Sequence, residues 1–297
     1  MELKIVNTEP SAGYELLDSG NGEKLERFGD YILARPDPQV LWNKANPEKW
    51  LQAQAVFERN GKTTSWNIKP DVPDRWQIDH GGLSFFIRPT SFKHTGLFPE
   101  QSPNWSWIKE TIEKNKKINP SRKISALNLF GYTGGATLAA AKAGAEVVHV
   151  DGSKVAISWA KDNAMISGLA DKPIRWILDD VKTFVLREIK RGNKYDVIIM
   201  DPPAFGHGPK KESWKIEDDF LSLLDSCKQI LSMEPILFLI NGYASGYSAL
   251  GYKNSLNDLM SSFNGSIEAG ELAIKESSGN GRLLPAGIFA RWQGDFH

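Results

Sequence analysis

The chain has 297 residues, and its 36 Lys and Arg balance 36 Asp and Glu, so that the formal net charge is zero. This length suits one large and one small domain, and the balanced charge means that any nucleic-acid-binding surface must be local. The single cysteine, Cys227, excludes a disulfide framework and a cysteine-based zinc site. The N-terminus lacks an apolar signal core, and no apolar run is long enough to span a membrane, so a cytoplasmic protein is expected.

The first third of the chain reads as short strands and turns. Asn21-Gly22 and Asn60-Gly61 are typical of two-residue hairpin turns, which require positive φ angles. Residues 1–104 are therefore predicted to form a small β-rich domain, with a core expected to contain Trp42, Trp50, Trp66 and Trp76. A helix predicted over 105–117, within a linking segment at 105–122, leads to a second domain at 123–297.

From residue 123 onward, apolar segments alternate with helical patterns. Strands are predicted at 124–130, 146–150, 174–178, 195–200 and 236–240, with helices after them at 136–143, 153–166, 180–191, 215–231 and 248–263. Continuously apolar strands between helices indicate a parallel sheet covered on both faces. Two further strand segments, 266–276 and 286–292, have no helix between them and predict a terminal antiparallel hairpin. The expected fold class is α/β and Rossmann-like.

A glycine-rich turn follows the first strand of this series. Gly131, Gly134 and Gly135 can let the backbone approach a ligand, and the helix N-terminus that follows suits a carboxylate. A turn that only connects strand to helix is the alternative. The spacing does not fit the G-x-G-x-x-G pattern of dinucleotide-binding proteins.

Acidic residues follow the second and third strands. Asp151 lies where a carboxylate can accept hydrogen bonds from ribose hydroxyls, although it can also cap the helix that begins near Ser153. Of Asp179 and Asp180, one is expected to contact an adenine amino group and the other to cap a helix. Asp180 is favoured for the adenine.

The fourth strand ends in Asp201-Pro202-Pro203-Ala204-Phe205. Two prolines fix φ and have no N–H group, so the backbone carbonyls point in set directions. A carboxylate, these carbonyls and an aromatic ring can hold a flat heterocycle by its edge and face, as an enzyme that acts on an extruded base requires. A proline-rich turn after a buried strand is the alternative.

Residues 126–241 resemble the S-adenosylmethionine (SAM)-dependent methyltransferase domain of bacterial large-subunit ribosomal RNA methyltransferases, a group that includes cytosine-5 and guanine-N7 enzymes. The family's first motif resembles residues 128–135, and its fourth resembles residues 200–205. Residues 93–101 resemble a Lys-Thr-Gly-Phe-x-x-Asp-Gln-Arg segment that closes over the cofactor, although Ser102 stands where the family has Arg. The resemblance implies a class I methyltransferase sheet, SAM as cofactor and ribosomal RNA as substrate.

The resemblance also implies a set of site residues. The catalytic residues would be Asp201, Pro202, Pro203 and Phe205. The cofactor-binding residues would be Thr95, Gly96, Gln101, Asn128, Phe130, Tyr132, Thr133, Gly134, Gly135, Asp151, Gly152, Ser153, Asp179, Asp180, Val181 and Asp201. No metal site is expected, since His80 and His94 are isolated in the sequence.

The cysteine decides between two kinds of chemistry. Methylation of cytosine C5 needs a thiolate that attacks C6, and the cytosine-5 enzymes carry that cysteine after the fifth strand, where this chain has no cysteine in residues 241–246. Cys227 instead lies in line with Phe220, Leu223 and Leu224, which predicts a buried position on a helix. The target atom is therefore expected to be a ring nitrogen or an exocyclic amine, and the amine would use Asp201 and the Pro202 carbonyl as acceptors.

Several polar and aromatic side chains could bind RNA or simply be solvated. His207 lies in the loop that is predicted after the Asp-Pro-Pro segment and could act as an acid or base, or hydrogen-bond the substrate. Candidate phosphate and stacking contacts are Lys109, Lys114, Lys116, Lys117, Arg122, Lys123, Lys210, Lys211, Lys215, Trp105, Trp107 and Trp214. Methylation of a protein or small molecule, and a non-catalytic RNA-binding or assembly factor that keeps the fold, are the alternatives. The sequence does not predict the oligomeric state.

Overall fold

The computed structural model describes residues 2–60, 63–91, 93–243, 246–277 and 281–296. Two compact units are present, and each is described by itself. The sheet unit comprises Met1–Ile5, Asn104–Glu271 and Gly287–His297, and the hairpin unit comprises Val6–Pro103 and Leu272–Ala286. The division into domains at 1–104, 105–122 and 123–297 stays a prediction.

The predicted elements of the second half are present in the predicted order and begin and end within three residues of the predicted positions, whereas β13 and β14 were not predicted. The strands are β1 Lys4–Thr8, β2 Tyr14–Gly20, β3 Glu23–Phe28, β4 Tyr31–Pro36, β5 Ala55–Asn60, β6 Thr63–Ile68, β7 Trp76–His80, β8 Leu83–Ile87, β9 Ser125–Leu129, β10 Glu146–Asp151, β11 Ile174–Leu178, β12 Val197–Met200, β13 Phe205–His207, β14 Ser213–Lys215, β15 Leu237–Gly242, β16 Gly265–Lys275 and β17 Leu283–Gly294. The α-helices are α1 Ser102–Ile118, α2 Gly135–Lys142, α3 Lys154–Ile166, α4 Val181–Arg191, α5 Ile216–Ile230 and α6 Ala249–Met260. None of the helices in the described ranges is long and apolar enough to cross a membrane.

The large sheet has the strand order β1-β16-β17-β15-β12-β9-β10-β11. Parallel pairing places Leu127 of β9 between Val148 of β10 and Ile198 of β12. The chain therefore leaves β9 toward β10 on one side and later returns to β12 on the other. In such open sheets, ligands bind at the carboxyl ends of the strands where the order reverses. The predicted parallel sheet is confirmed. Its candidate ligand-binding edge is the one that follows Leu129.

The last strands are antiparallel to this sheet, as predicted. Leu239 of β15 lies opposite Arg291 of β17, and β16 is the next strand outward. The outermost strand is β1, and its place in the large sheet was not predicted from the sequence.

The core of the sheet unit explains why these strands read as apolar runs. Leu127, Ile198 and Phe238 are fully buried on neighbouring strands, and Phe184 of α4 and Leu224 of α5 belong to the same cluster. Burying each such side chain stabilises the fold by about 1.5–3 kcal/mol. The core therefore fixes the strands whose ends carry the candidate site.

The hairpin unit contains a five-stranded sheet of order β2-β3-β4-β5-β6 and the β7-β8 hairpin. Asn21 and Gly22 have φ angles of 55° and 77°, which confirms the first predicted turn. The second predicted turn includes Gly61, which lies outside the described residues.

The prediction of a tryptophan core in this unit is confirmed only in part, since Trp50 packs against the buried cluster of Leu25, Ala34 and Ala53 without being buried itself. Trp76 is buried, but Trp42, Trp50 and Trp66 are only partly buried. Their indole N–H groups donate to polar atoms, for example from Trp50 to Asp18 at 2.8 Å. The buried centre is formed by smaller and phenyl side chains instead, among them Leu16, Leu25, Phe28 and Phe85.

Candidate cofactor and base-binding site

The turn after β9 has an unusual backbone. Phe130 and Tyr132 have φ angles of 58° and 47°, and Gly134, which precedes α2, has a φ of 93°. Left-handed conformations at residues other than glycine cost about 1–3 kcal/mol and cluster at functional sites. Asp151 at the end of β10 holds this turn, because its Oδ2 accepts a hydrogen bond from the Tyr132 N–H at 2.8 Å.

Two of the glycines are required for packing within the protein. A Cβ on Gly131 would lie 2.4 Å from the His149 ring, and a Cβ on Gly135 would lie 2.4 Å from the Trp105 ring. The sequence interpretation was that these glycines let the backbone approach a ligand. The close neighbours of Gly131 and Gly135 are the protein's own aromatic rings, so that reason is incomplete. Gly134 is required by its positive φ.

A buried hydrogen-bond chain lies beneath the turn. The Asn128 amide donates to Thr137 Oγ1 at 2.8 Å, and Thr137 Oγ1 lies 2.9 Å from His149 Nδ1. Asn128 is only 3% exposed, and Thr133, another predicted cofactor residue, is also buried, with its carbonyl accepting from Asn163 at 3.0 Å. The Asn128 side chain therefore lies in the core and contacts the helix that follows the turn after β9.

The buried histidine makes the stability of the fold depend on pH. Burial lowers the pKa of His149 from 6.5 to about 3. Below about pH 6.5 the His149 imidazole takes up a proton in the unfolded chain but not in the folded chain. The contribution of His149 to the free energy of unfolding is therefore complete above that pH and decreases as the pH falls. Between pH 6.5 and 5, the free energy of unfolding should therefore fall by about 2 kcal/mol less in His149→Gln than in the parent protein. Urea denaturation of both proteins across this range measures the difference, and identical pH slopes would contradict the assignment.

The turn after β10 is organised by Asp151 and Ser153. The Asp151 carboxylate also accepts from the Ser153 N–H at 2.7 Å, and Ser153 caps α3 by accepting from the Ala156 N–H at 3.2 Å. Burial raises the pKa of Asp151, and the two backbone donors oppose this shift. Asp151 is therefore not the helix cap, and the alternative reading of this residue is wrong. Gly152 lies between the two residues.

The two acids after β11 have different partners. Asp180 caps α4, accepting from the Thr183 N–H at 2.9 Å, and the buried Val181 begins the helix. Asp179 forms an ion pair with Arg187. The sequence analysis favoured Asp180 for adenine and hence Asp179 for the cap, so the capping part of that prediction is wrong. An adenine contact from either residue stays a prediction.

The segment after β12 carries a partly buried carboxylate and an exposed ring. Asp201 is partly buried, Pro202 is buried, and the Phe205 side chain is 55% exposed. The Pro203 carbonyl accepts from the Trp214 indole N–H at 2.7 Å, while the Trp214 ring packs edge-on against Phe130 at 4.9 Å between centroids. The Asp-Pro-Pro segment is therefore tied to the turn after β9 through one buried tryptophan.

A short hairpin occupies what the sequence analysis described as a loop. Strands β13 and β14 pair antiparallel, with His207 opposite Ser213. Its backbone closely approaches the other turns of this edge, since a Cβ on Gly152 would lie 3.0 Å from the His207 carbonyl oxygen. His207 is thus an exposed strand residue with its ring against Phe205, at 4.8 Å between centroids. The prediction that it lies in a loop is wrong.

The end of β15 carries a buried amide. Asn241 is buried and accepts from the Asn104 amide at 2.8 Å. Ala244 and Ser245, which belong to the segment where cytosine-5 enzymes have their cysteine, lie outside the described residues. Cys227 is fully buried on α5, and burial raises the pKa of its thiol. The predicted position of Cys227 is confirmed.

We expect Cys227→Ser to retain methyl transfer and to lower the free energy of unfolding by about 1–3 kcal/mol, because a hydroxyl replaces the thiol on a packed face. Chemical denaturation and a methyl-transfer assay on the same preparation measure the two effects. Complete loss of activity in a variant that still unfolds cooperatively would instead indicate a thiolate mechanism.

Three predicted cofactor residues belong to the hairpin unit. Thr95 is fully buried, Gly96 has a φ of 91°, and Gln101 is buried in a short 3-10 helix, Pro99–Gln101. Their contribution to cofactor binding stays a prediction.

The candidate RNA contacts are only partly available. Trp105 and Trp214 are buried at 5% and 3% exposure, so neither ring can stack on a base, and those two predictions are wrong. Arg122 is paired with Asp196 at 2.6 Å, and Lys116 donates to the Gly144 carbonyl at 3.1 Å. Phosphate binding by the remaining lysines stays a prediction.

A sequence model of the family described as S-adenosylmethionine-dependent methyltransferase matches residues 42–254. The chain belongs to this family. The protein is therefore a SAM-dependent methyltransferase, and SAM is its cofactor.

Solved structures agree with the family. The crystal structure of the SAM-dependent methyltransferase from Agrobacterium tumefaciens is 39% identical and superimposes with a TM-score of 0.91, covering 98% of this chain and 94% of that one. The structure of SMU.776 complexed with SAH is 18% identical with a TM-score of 0.69, over 95% of this chain and 76% of that one, and it shows likeness of fold alone.

Curated relatives of this methyltransferase are longer. Ribosomal RNA large subunit methyltransferase K/L of Shewanella baltica (strain OS155) is 33% identical over 208 residues, covering 69% of this chain and 27% of that protein. Ribosomal RNA large subunit methyltransferase K of Neisseria meningitidis serogroup B is 27% identical over 217 residues, covering 72% of this chain and 55% of that protein. The chain thus spans between about a quarter and about half of the length of these relatives.

Sequence reasoning missed His149 and Tyr252, and it assigned Trp214 to RNA stacking instead of to packing behind the site. His149 and Trp214 carried no pattern that distinguishes them from ordinary core residues, and both act by packing under or behind a turn. Tyr252 of α6 was read only as part of a helix. A polar aromatic residue on the apolar face of a helix is the one signal that could have drawn attention to it.

Proposed function

We propose that this SAM-dependent methyltransferase methylates a nitrogen of a base in ribosomal RNA, without a covalent bond between enzyme and base. The observation that carries the proposal is the segment after β12. The partly buried Asp201 and the exposed Phe205 ring lie on either side of two prolines, at the edge where the sheet order reverses. A buried acceptor and an exposed ring suit the edge and face of an extruded base.

The curated relatives support RNA as the substrate class. Those matched over more than two thirds of this chain are named as large-subunit ribosomal RNA methyltransferases. Since this chain spans only part of their length, ribosomal RNA is a proposed substrate of this chain, and experiment has to identify the nucleotide.

The cofactor would be held by groups at the ends of β9, β10 and β11. The turn at Phe130–Gly135 presents backbone N–H groups at the start of α2, where a carboxylate is favoured. The Asp151 carboxylate accepts from two backbone N–H groups, and an ionised carboxylate has lone pairs left for ribose hydroxyls. When bound, SAM supplies an electrophilic methyl group on a positively charged sulfur.

The chain's own residues would orient the base for that methyl group. Asp201 would accept a hydrogen bond from the reacting edge, the Pro202 carbonyl would offer a second acceptor, and Phe205 would stack on the ring. A ring nitrogen already carries the lone pair that attacks, so orientation can supply most of the catalysis. The only cysteine of the chain, Cys227, is buried in the core, in agreement with a mechanism that uses no thiolate.

The test is a survey of substrate classes. The purified protein is incubated with radiolabelled SAM and, in separate reactions, with fractionated cellular RNA, cellular protein and a small-molecule extract. We expect label in the large ribosomal RNA prepared from cells that lack this protein, and little label in RNA from cells that contain it. Label confined to the protein or small-molecule fraction would overturn the proposal.

A further inference from the structure

One polar group at the candidate site has no role in the function described so far. Tyr252 of α6 is only 3% exposed, and its side chain reaches the carboxyl end of β15. A Cβ on Gly242 would lie 2.6 Å from the Tyr252 hydroxyl oxygen, so that oxygen rests directly against the Gly242 backbone. Only glycine leaves room for the phenol at this point.

The same hydroxyl lies near the Asp201 carboxylate. Strands β12 and β15 are parallel, with Met200 opposite Ile240, so the residues that follow them end at the same level. Burial, followed by the negative charge of Asp201 and then by Tyr247, raises the pKa of Tyr252 to about 12. The phenol therefore stays protonated at physiological pH and is a hydrogen-bond donor beside an acceptor.

Packing does not require this hydroxyl. The Tyr252 ring stacks with Phe220 and with Tyr247, at 5.3 Å and 6.4 Å between centroids, and the ring of phenylalanine would make the same contacts. Among the residues that the structure describes, none hydrogen-bonds to the hydroxyl oxygen. A buried polar group left unpaired costs about 1–3 kcal/mol, so it calls for another explanation.

We propose that the Tyr252 hydroxyl is a substrate contact, donating a hydrogen bond to an acceptor atom on the edge of the target base while Asp201 accepts from the same edge. This inference rests on the proposed function and deepens it. It restricts the substrate to bases that present an acceptor next to a donor. A site built to hydrogen-bond a substrate group selects against analogues that lack that group.

The test compares two Tyr→Phe variants of the full chain. Tyr252→Phe removes the unpaired hydroxyl, whereas Tyr195→Phe removes a buried hydroxyl that donates to Glu188 Oε2 at 2.6 Å and serves as the matched control. Single-turnover methyl transfer into the RNA fraction that the parent labels, SAM affinity by calorimetry and the melting temperature are measured for each protein. We expect Tyr252→Phe to transfer methyl about tenfold more slowly, with unchanged SAM affinity and an unchanged or higher melting temperature. Tyr195→Phe should show the opposite pattern, with a lower melting temperature and the parental rate.

The outcomes separate this inference from the proposed function. If the parent protein labels RNA and Tyr252→Phe transfers methyl at the same rate, the inference is overturned and the proposed function is left intact. Parental protein that labels no RNA would overturn the function itself. The ratio of the two rates should also be constant between pH 6 and 9, because the phenol acts as a donor throughout, and a ratio that rises with pH would instead indicate a base and contradict the assignment.

Discussion

Replacing Asp201 with alanine should slow methyl transfer by about 10- to 100-fold, which corresponds to the loss of one hydrogen bond to a charged acceptor. The SAM dissociation constant should change far less, because interactions made mainly with the base act on turnover. Phe205→Ala should act in the same direction through the loss of a stacking surface of about 1–3 kcal/mol. Single-turnover transfer on the RNA substrate and calorimetry with SAM measure the two quantities on one preparation.

The control for Asp201 is another acid of the same unit. Asp225 lies on the exposed side of α5, and Asp225→Ala should change neither rate nor affinity. Neither Asp201→Ala nor Phe205→Ala should unfold the sheet, since both residues follow the end of β12. Parental rates for both variants would mean that the Asp-Pro-Pro segment is only a turn.

Asp151→Ala should weaken SAM binding by about tenfold or more, because it removes a charged acceptor for ribose and the acceptor that fixes the Tyr132 N–H. Asp151→Asn separates these two effects. The asparagine keeps one oxygen that can accept from the turn but loses the charge, so its affinity should lie between those of the parent and the alanine variant. Calorimetry with SAM on the three proteins gives the comparison.

Unchanged SAM affinity in a folded Asp151→Ala protein would contradict both roles. Equal affinities of the asparagine variant and the parent, with a weak alanine variant, would assign the effect to the turn alone.

The parts of the fold that were predictable from the sequence are those specified by long local patterns. The strand β11 was placed at its observed bounds because Ile174–Leu178, apolar except for Arg175, lies between two helical segments. Strands β13 and β14 have three residues each, too few for a periodic pattern, so Phe205–His207 was read as a loop. The place of Lys4–Thr8 in the large sheet depends on a contact far along the chain, and no local signal encodes it.

In the candidate site, too, the local sequence did not reveal which of the predicted roles single residues have. Asp179 and Asp180 are chemically identical neighbours, and the backbone geometry at the start of α4 decides that Asp180 is the cap. The glycines at 131 and 135 were recognised as necessary, but the rings of His149 and Trp105 that make them necessary come from distant positions. Motif order along the chain predicted the candidate site, whereas the contacts that support its turns required the three-dimensional structure.

The measurement that tests the account most directly identifies the modified nucleoside. RNA methylated with SAM that carries a deuterated methyl group is digested to nucleosides, and mass spectrometry with fragmentation locates the label. The account predicts a deuterated methyl group on a ring or exocyclic nitrogen of a base from large-subunit ribosomal RNA. Label on cytosine C5, on a ribose oxygen, or in no RNA nucleoside at all would contradict it.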